Sequence, residues 1–187
     1  MAATLRLLED SGIEGLTTNH IAKEAKISIA SLYQYFPNKQ SILYALHQRW
    51  VEWVARTFDD IEDQYFMVVS CPEFFDKLLV GGMEKTLYSY WAEAQLFKAI
   101  QNSRELEALV AMHSNEIADR MVKYLKGYGS TWDEKKLKKL GIFLLRMTTL
   151  TYIEPSPPTV ADRKLKLEWT RKMGRPLIEE CLGAASE

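Results

Sequence analysis

The 187-residue chain carries little with which to do covalent or metal chemistry. Its two cysteines, Cys71 and Cys181, stand apart with no CxxC or other ligand spacing, and read as reduced, partly buried thiols rather than a disulfide or a metal site. The three histidines, His20, His47 and His113, have no Glu or His at metal-ligand spacing. There is no GxSxG, no P-loop and no dinucleotide-binding glycine pattern, and Gly81-Gly82 falls inside a helical period. These absences exclude the common catalytic frameworks, so neither an enzyme nor a cofactor nor a metal site is expected.

Long apolar runs are missing too. No stretch approaches the ~18 residues of a membrane span, and Met1-Ala2-Ala3 leads straight into an amphipathic pattern without the basic and apolar regions of a signal peptide. A cytoplasmic protein with no membrane partner is expected. Net charge is only −1, which alone does not announce a nucleic-acid binder, but the charge is uneven. Residues 17–46 sum to +2 through Lys23, Lys26 and Lys39 against Glu24, whereas residues 47–131 sum to −4. The run Asp59-Asp60-Ile61-Glu62-Asp63 is read as a solvated helix end, not a metal cluster.

Composition does favour a folded core: 47% of residues are hydrophobic and 26% charged. The apolar period is helical nearly throughout and never settles into a two-residue alternation, which predicts an all-α protein of about nine helices. A first helix with Leu5 and Leu8 inward stops at Ser11-Gly12. Thr17 or Thr18 caps a second, and Ser28 caps a third that Pro37 ends. A long fourth helix runs from Lys39 to about Phe58. Further on, Leu79, Met83, Leu87, Tyr90 and Ala94 keep one helical stripe, and Leu106 to Tyr124 keep another. Glu154-Pro155-Ser156-Pro157-Pro158 is the clearest break, after which a last helix starts near Val160 and is expected to kink or restart at Gly174-Arg175-Pro176.

Two short helices joined by a three- or four-residue turn, the second capped by serine, make a helix-turn-helix, whose second helix fits a major groove about 12 Å wide. Ser28, Tyr33, Tyr35 and Lys39 supply hydroxyl and ammonium donors suited to phosphate oxygens, while Leu32 and Phe36 hold the helix to its neighbours. The residues Thr17-Thr18, Ile21-Ala22, Ala25, Ile27-Ser28, Leu32-Tyr33, Tyr35-Phe36 and Lys39 carry a specific likeness. In their spacing and N-terminal position they resemble the helix-turn-helix domain of the tetracycline-repressor (TetR) family of bacterial transcriptional regulators.

The likeness is close over about residues 1–50 and beyond that extends only to the number and order of helices. It implies a DNA-binding domain over 1–46 and an effector-binding and dimerisation domain over 47–187. It also implies that Thr18, Ser28, Tyr33, Tyr35 and Lys39 hold phosphates and that Ile29, Ala30, Ser31 and Gln34 face or approach bases. Two departures stand out. Lys26 occupies a turn position where the family commonly has glycine, so either the turn tolerates it or it adopts a left-handed conformation at a cost of about 1 kcal/mol. Ile29-Ala30 replaces a frequent lysine-glycine pair, which favours apolar contact with a thymine methyl and leaves Gln34 for an adenine edge.

For the remainder, the resemblance implies a homodimer joined through the last two long helices, acting on a palindromic double-stranded operator. The stripes Leu137, Leu140, Leu144, Met147, Thr151 and Leu165, Trp169, Met173, Leu177 suit that role, and also suit the subunit's own core. A small, largely apolar effector is expected among Phe74, Met83, Leu87, Tyr90, Trp91, Met112, His113 and Met121, a set that plain core packing also accounts for. Two rival readings remain: the same fold answering to a protein partner or to no ligand, and a helical interaction module that has lost DNA binding.

Overall fold

The computed structural model describes residues 1–84, 87–150 and 156–183. Among them there are nine α-helices and no strand: α1 Ala2–Ser11, α2 Thr18–Glu24, α3 Ile29–Tyr35, α4 Lys39–Tyr65, α5 Cys71–Glu84, α6 Tyr90–Gln101, α7 Glu107–Gly127, α8 Glu134–Leu150 and α9 Val160–Cys181, with a 3₁₀ turn at Arg104–Leu106 before α7. The described residues pack into two compact units, one chiefly of residues 1–53 and 87–110, the other of 54–84, 111–150 and 158–183.

In the first unit, Leu8, Leu16, Ile21, Leu32, Ile42 and Leu46 of the N-terminal segments share one core with Leu96, Ala99 and Ile100 of α6. Each such Leu or Ile gains about 1.5–3 kcal/mol on burial, so this apolar seam fixes α6 on the N-terminal helices. The exposed Lys98–Glu14 pair at 3.2 Å lies on the same contact but is screened by solvent and adds little. The end of α1 depends on Gly12, whose φ of 64° and ψ of −169° is a conformation that side-chain-bearing residues avoid. Its N–H closes α1 on the Leu8 carbonyl at 3.2 Å.

In the second unit, Phe66, Phe74, Tyr124 and Tyr128 form a continuous ring cluster with centroid spacings of 5.0–5.7 Å. Gly141 of α8 permits close approach to α7, since a methyl there would come within 3.2 Å of the Ala118 Cα. Both cysteines are free and buried in this unit, and burial pushes the Cys71 thiol up to about 12.

Three expectations are corrected. The stripe from Leu79 to Ala94 is two helices, because Ser89 caps a new start by accepting the Ala92 N–H at 3.2 Å, which leaves Leu87 in the connection. Helix α4 does not stop near Phe58 but continues to Tyr65, since Ile61 is buried. The charge run occupies the last two turns of α4 with Asp59, Asp60 and Asp63 exposed, but Glu62 is bound by Arg120, Lys123 and Tyr124 rather than solvated. Finally, of the kink or restart expected at Gly174-Arg175-Pro176, the restart does not occur, since α9 is one helix through Pro176. It begins with a capping box in which Thr159 and Asp162 bind each other's backbone N–H groups.

Candidate nucleic-acid interface

The first three helices owe their placement to caps that the local sequence supplies. Thr17, rather than Thr18, caps α2 by accepting the His20 N–H at 3.2 Å, and the His20 Nδ1 lies 2.9 Å from the Gly15 carbonyl. Arg6 ties α1 to α2 through Glu24 at 2.8 Å. At the end of α2, Lys26 takes the left-handed conformation with φ 56°. The Ile27 N–H then reaches the Ala22 carbonyl at 3.0 Å and the Lys26 N–H the Lys23 carbonyl at 3.1 Å, a Schellman closure that glycine ordinarily makes. Of the two readings open for Lys26, the left-handed one holds, and its side chain lies exposed.

Ser28 then starts α3. Its hydroxyl accepts the Ser31 N–H at 3.0 Å and pairs with the Ser31 hydroxyl at 2.8 Å. Leu32 is buried, and Ile29 and Phe36 are half-buried against the same core, which sets the inward face. Ile29, expected near the bases, also packs on this core and keeps part of its surface open. Outward, Ala30 and Gln34 are exposed, Tyr33 is 48% exposed and Tyr35 is 78% exposed. The Tyr33 hydroxyl lies 3.1 Å from Thr18 Oγ1, so two expected phosphate donors from α2 and α3 form one paired hydroxyl site.

Asn38 was missed by the sequence reading, although asparagine immediately before a helix is a recognisable cap. Its Oδ1 accepts the Ser41 N–H at 2.8 Å and its carbonyl accepts the Ser41 hydroxyl at 2.7 Å. This places Lys39 as the first residue of α4. Helix α3 thereby presents neutral side chains, and Lys23 of α2, Lys26 of the turn and Lys39 at the start of α4 flank it in sequence. That combination suits a groove wall read by neutral groups and phosphates held by hydroxyls and ammonium groups.

The expected effector residues fall in both units. Leu87, Tyr90 and Trp91 belong to the first unit, whereas Phe74, Met112, His113 and Met121 belong to the second. Phe74 is fully buried in the ring cluster, while Met112 is exposed on α7. His113 is buried, and that burial lowers its pKa to about 4. The side chain of Met83 lies outside the described residues.

The expected dimer residues also divide. Leu137, Leu140 and Leu144 are buried within the subunit, and Leu144 Cδ2 comes within 3.5 Å of where a methyl on Gly174 would stand. Met147 and Leu177 are half-buried and Thr151 lies outside the described residues. Leu165, Trp169 and Met173 of α9 are exposed, as is Phe143 of α8, which the sequence reading passed over.

Residues 1–46 match the family model described as bacterial regulatory proteins, tetR family. Over 60 residues the chain is 33% identical to an HTH-type transcriptional regulator of Staphylococcus aureus strain USA300, which is 32% of each chain. The match thus spans about a third of the length of such curated relatives. A transcriptional regulator from a Rhodococcus species superposes on 100% of this chain and 96% of its own with a TM-score of 0.75 at 15% identity. A ketosteroid transcriptional regulator of Mycobacterium tuberculosis covers 100% and 92% with a TM-score of 0.61 at 17% identity. A TetR transcriptional regulator from Legionella pneumophila covers 96% and 92% with a TM-score of 0.66 at 16% identity. At these identities the likeness to solved structures establishes the fold.

Proposed function

We propose that this chain, whose residues 1–46 match the model of the tetR family of bacterial regulatory proteins, is a DNA-binding transcriptional regulator of that family. It acts in the cytoplasm as a homodimeric repressor on a palindromic operator, and a small, largely apolar effector releases it. No catalytic step is part of this reading. The division proposed is residues 1–46 for DNA and 47–187 for effector binding and dimerisation, and no described helix is long and apolar enough to cross a membrane.

The observation that carries the reading is the capped α2–α3 pair with its Thr18–Tyr33 hydroxyl site at 3.1 Å and an exposed, uncharged outer face. Tyr35 is 78% exposed, so its phenol is free to meet a phosphate oxygen. The repressor and effector parts rest on the family and on the aromatic helices of residues 71–124.

Fluorescence anisotropy with the DNA upstream of the protein's own gene tests it. Tyr33→Phe and Lys39→Ala should each weaken binding several-fold while circular dichroism stays unchanged. Lys39→Ala should also lower the salt slope by about 0.9 for each phosphate that is no longer neutralised. Unchanged affinity and slope in both variants would remove these residues from the interface. In the same assay, an apolar compound that weakens duplex binding without unfolding the protein would support the effector.

A further inference from the structure

Helix α3, sequence IASLYQY, contains no Arg, Lys, Asp or Glu. Reading guanine through its O6 and N7 calls for two donors on one side chain, usually of Arg or Lys, and reading the cytosine amino group favours a carboxylate. Neither is present on the helix. Of its outward residues, the Ser31 hydroxyl is engaged by Ser28 at 2.8 Å and the Tyr33 hydroxyl by Thr18 at 3.1 Å. Ile29 and Leu32 are turned to the core. Tyr35 closes the helix and carries a phenol suited to a phosphate oxygen. What remains on one face, four residues apart, is the Ala30 methyl and the Gln34 amide, both exposed.

These two groups have specific complements. The amide of Gln34 pairs an acceptor and a donor with the N6 amino group and N7 of adenine, and a methyl packs on the C5-methyl of thymine. Four helical residues rise about 6 Å against about 3.4 Å per base step, and a helix inclined in the groove projects less than its full rise, so the two contacts fall about one to two base pairs apart. The geometry points to an operator half-site whose central readout is A·T: Ala30 recognises a thymine methyl, and Gln34 recognises an adenine one or two base pairs away. This rests on the DNA-binding reading above and adds to it the identity of the bases read.

The test begins with selection from random duplexes by the full-length protein, followed by atomic substitution in the selected half-site. Replacing the thymine by deoxyuridine removes only the methyl, and replacing the adenine by 7-deazaadenine removes only N7. The wild-type protein should lose about threefold or more on the first duplex and about fivefold or more on the second. Ala30→Gly should bind the thymine and uracil duplexes equally, with Ala30→Ser as a second variant that keeps better helix propensity. Gln34→Ala should become indifferent to 7-deazaadenine, and circular dichroism should show all three folded. A selected core of G·C pairs would overturn the proposal, as would base-analogue penalties that persist undiminished in the variants. Failure to enrich any sequence, with no retention of duplex, would instead overturn DNA binding itself and this proposal with it.

Discussion

His113 lies on the buried stripe of α7, where burial lowers its pKa from 6.5 to about 4. The unfolded chain therefore binds a proton near pH 6.5 that the folded chain refuses until about pH 4. The stability tied to the neutral imidazole is intact above pH 6.5 and is lost as pH falls toward 4, a change of up to about 3 kcal/mol. Urea melts at pH 7 and pH 4.5 should show the wild type losing more stability than His113→Leu over that interval; equal losses would mean that the ring is hydrated in the fold. Single residues were legible where chemistry is local. Ser28 as a cap followed from its own side chain and neighbours. The left-handed Lys26 could be posed as an alternative but not decided, because a turn's φ depends on the closure that Ile27 and Ala22 make around it. The half-burial of Ile29 was not legible for another reason: position on a short helix does not say how far the core reaches up its flank.

Between residues and the whole chain, α4 shows what periodicity leaves out. Its first five turns were readable from Ile42, Leu43, Leu46, Trp50 and Val54, all buried. Its last two turns were not, because Asp59 to Asp63 looks like a solvated terminus until α7 is brought alongside. Arg120 then donates to Asp59 at 2.7 Å, to Glu62 at 3.2 Å and to the Ala55 carbonyl at 3.3 Å, and the Tyr124 hydroxyl donates to Glu62 at 2.7 Å. Hydrogen bonding from Lys123 holds the Glu62 carboxyl below its usual range although burial opposes it. Arg120→Met should keep the stem and strip these bonds, leaving a half-buried carboxylate short of partners, at a cost of about 1–3 kcal/mol. Lys123→Met, which removes an ammonium that stays in solvent, should cost less. Chemical denaturation that ranks the two equally would assign the end of α4 to the Phe66–Tyr124 ring packing instead. The merged stripe at Leu79 to Ala94 failed for a similar reason: helical spacing can continue in register across a break, and only the Ser89 cap marks the new start.

For the molecule as a whole, the homodimer proposed above raises the question of which apolar face of the last two helices would serve a second copy. Both stripes were visible in the sequence, but an apolar period cannot tell the inside of a subunit from its outside. Burial separates them, with Leu137, Leu140 and Leu144 inside and Phe143, Leu165, Trp169 and Met173 outside. A stable dimer hides about 800 Å² per partner around a few large anchors, and Trp169 at 52% exposure is the largest side chain on the outer stripe. Trp169→Glu, and separately Phe143→Glu, should therefore give folded monomers by sedimentation, with loss of operator binding because one half-site supplies too little of the interface. Leu137→Ala should do the opposite. It should leave the association state intact at moderate temperature while lowering subunit stability by about 2–5 kcal/mol, since it opens a cavity in a position with no exposed surface. If Leu137→Ala dissociates the protein while Trp169→Glu and Phe143→Glu sediment as dimers, the outer stripe of α8 and α9 is not where two copies meet.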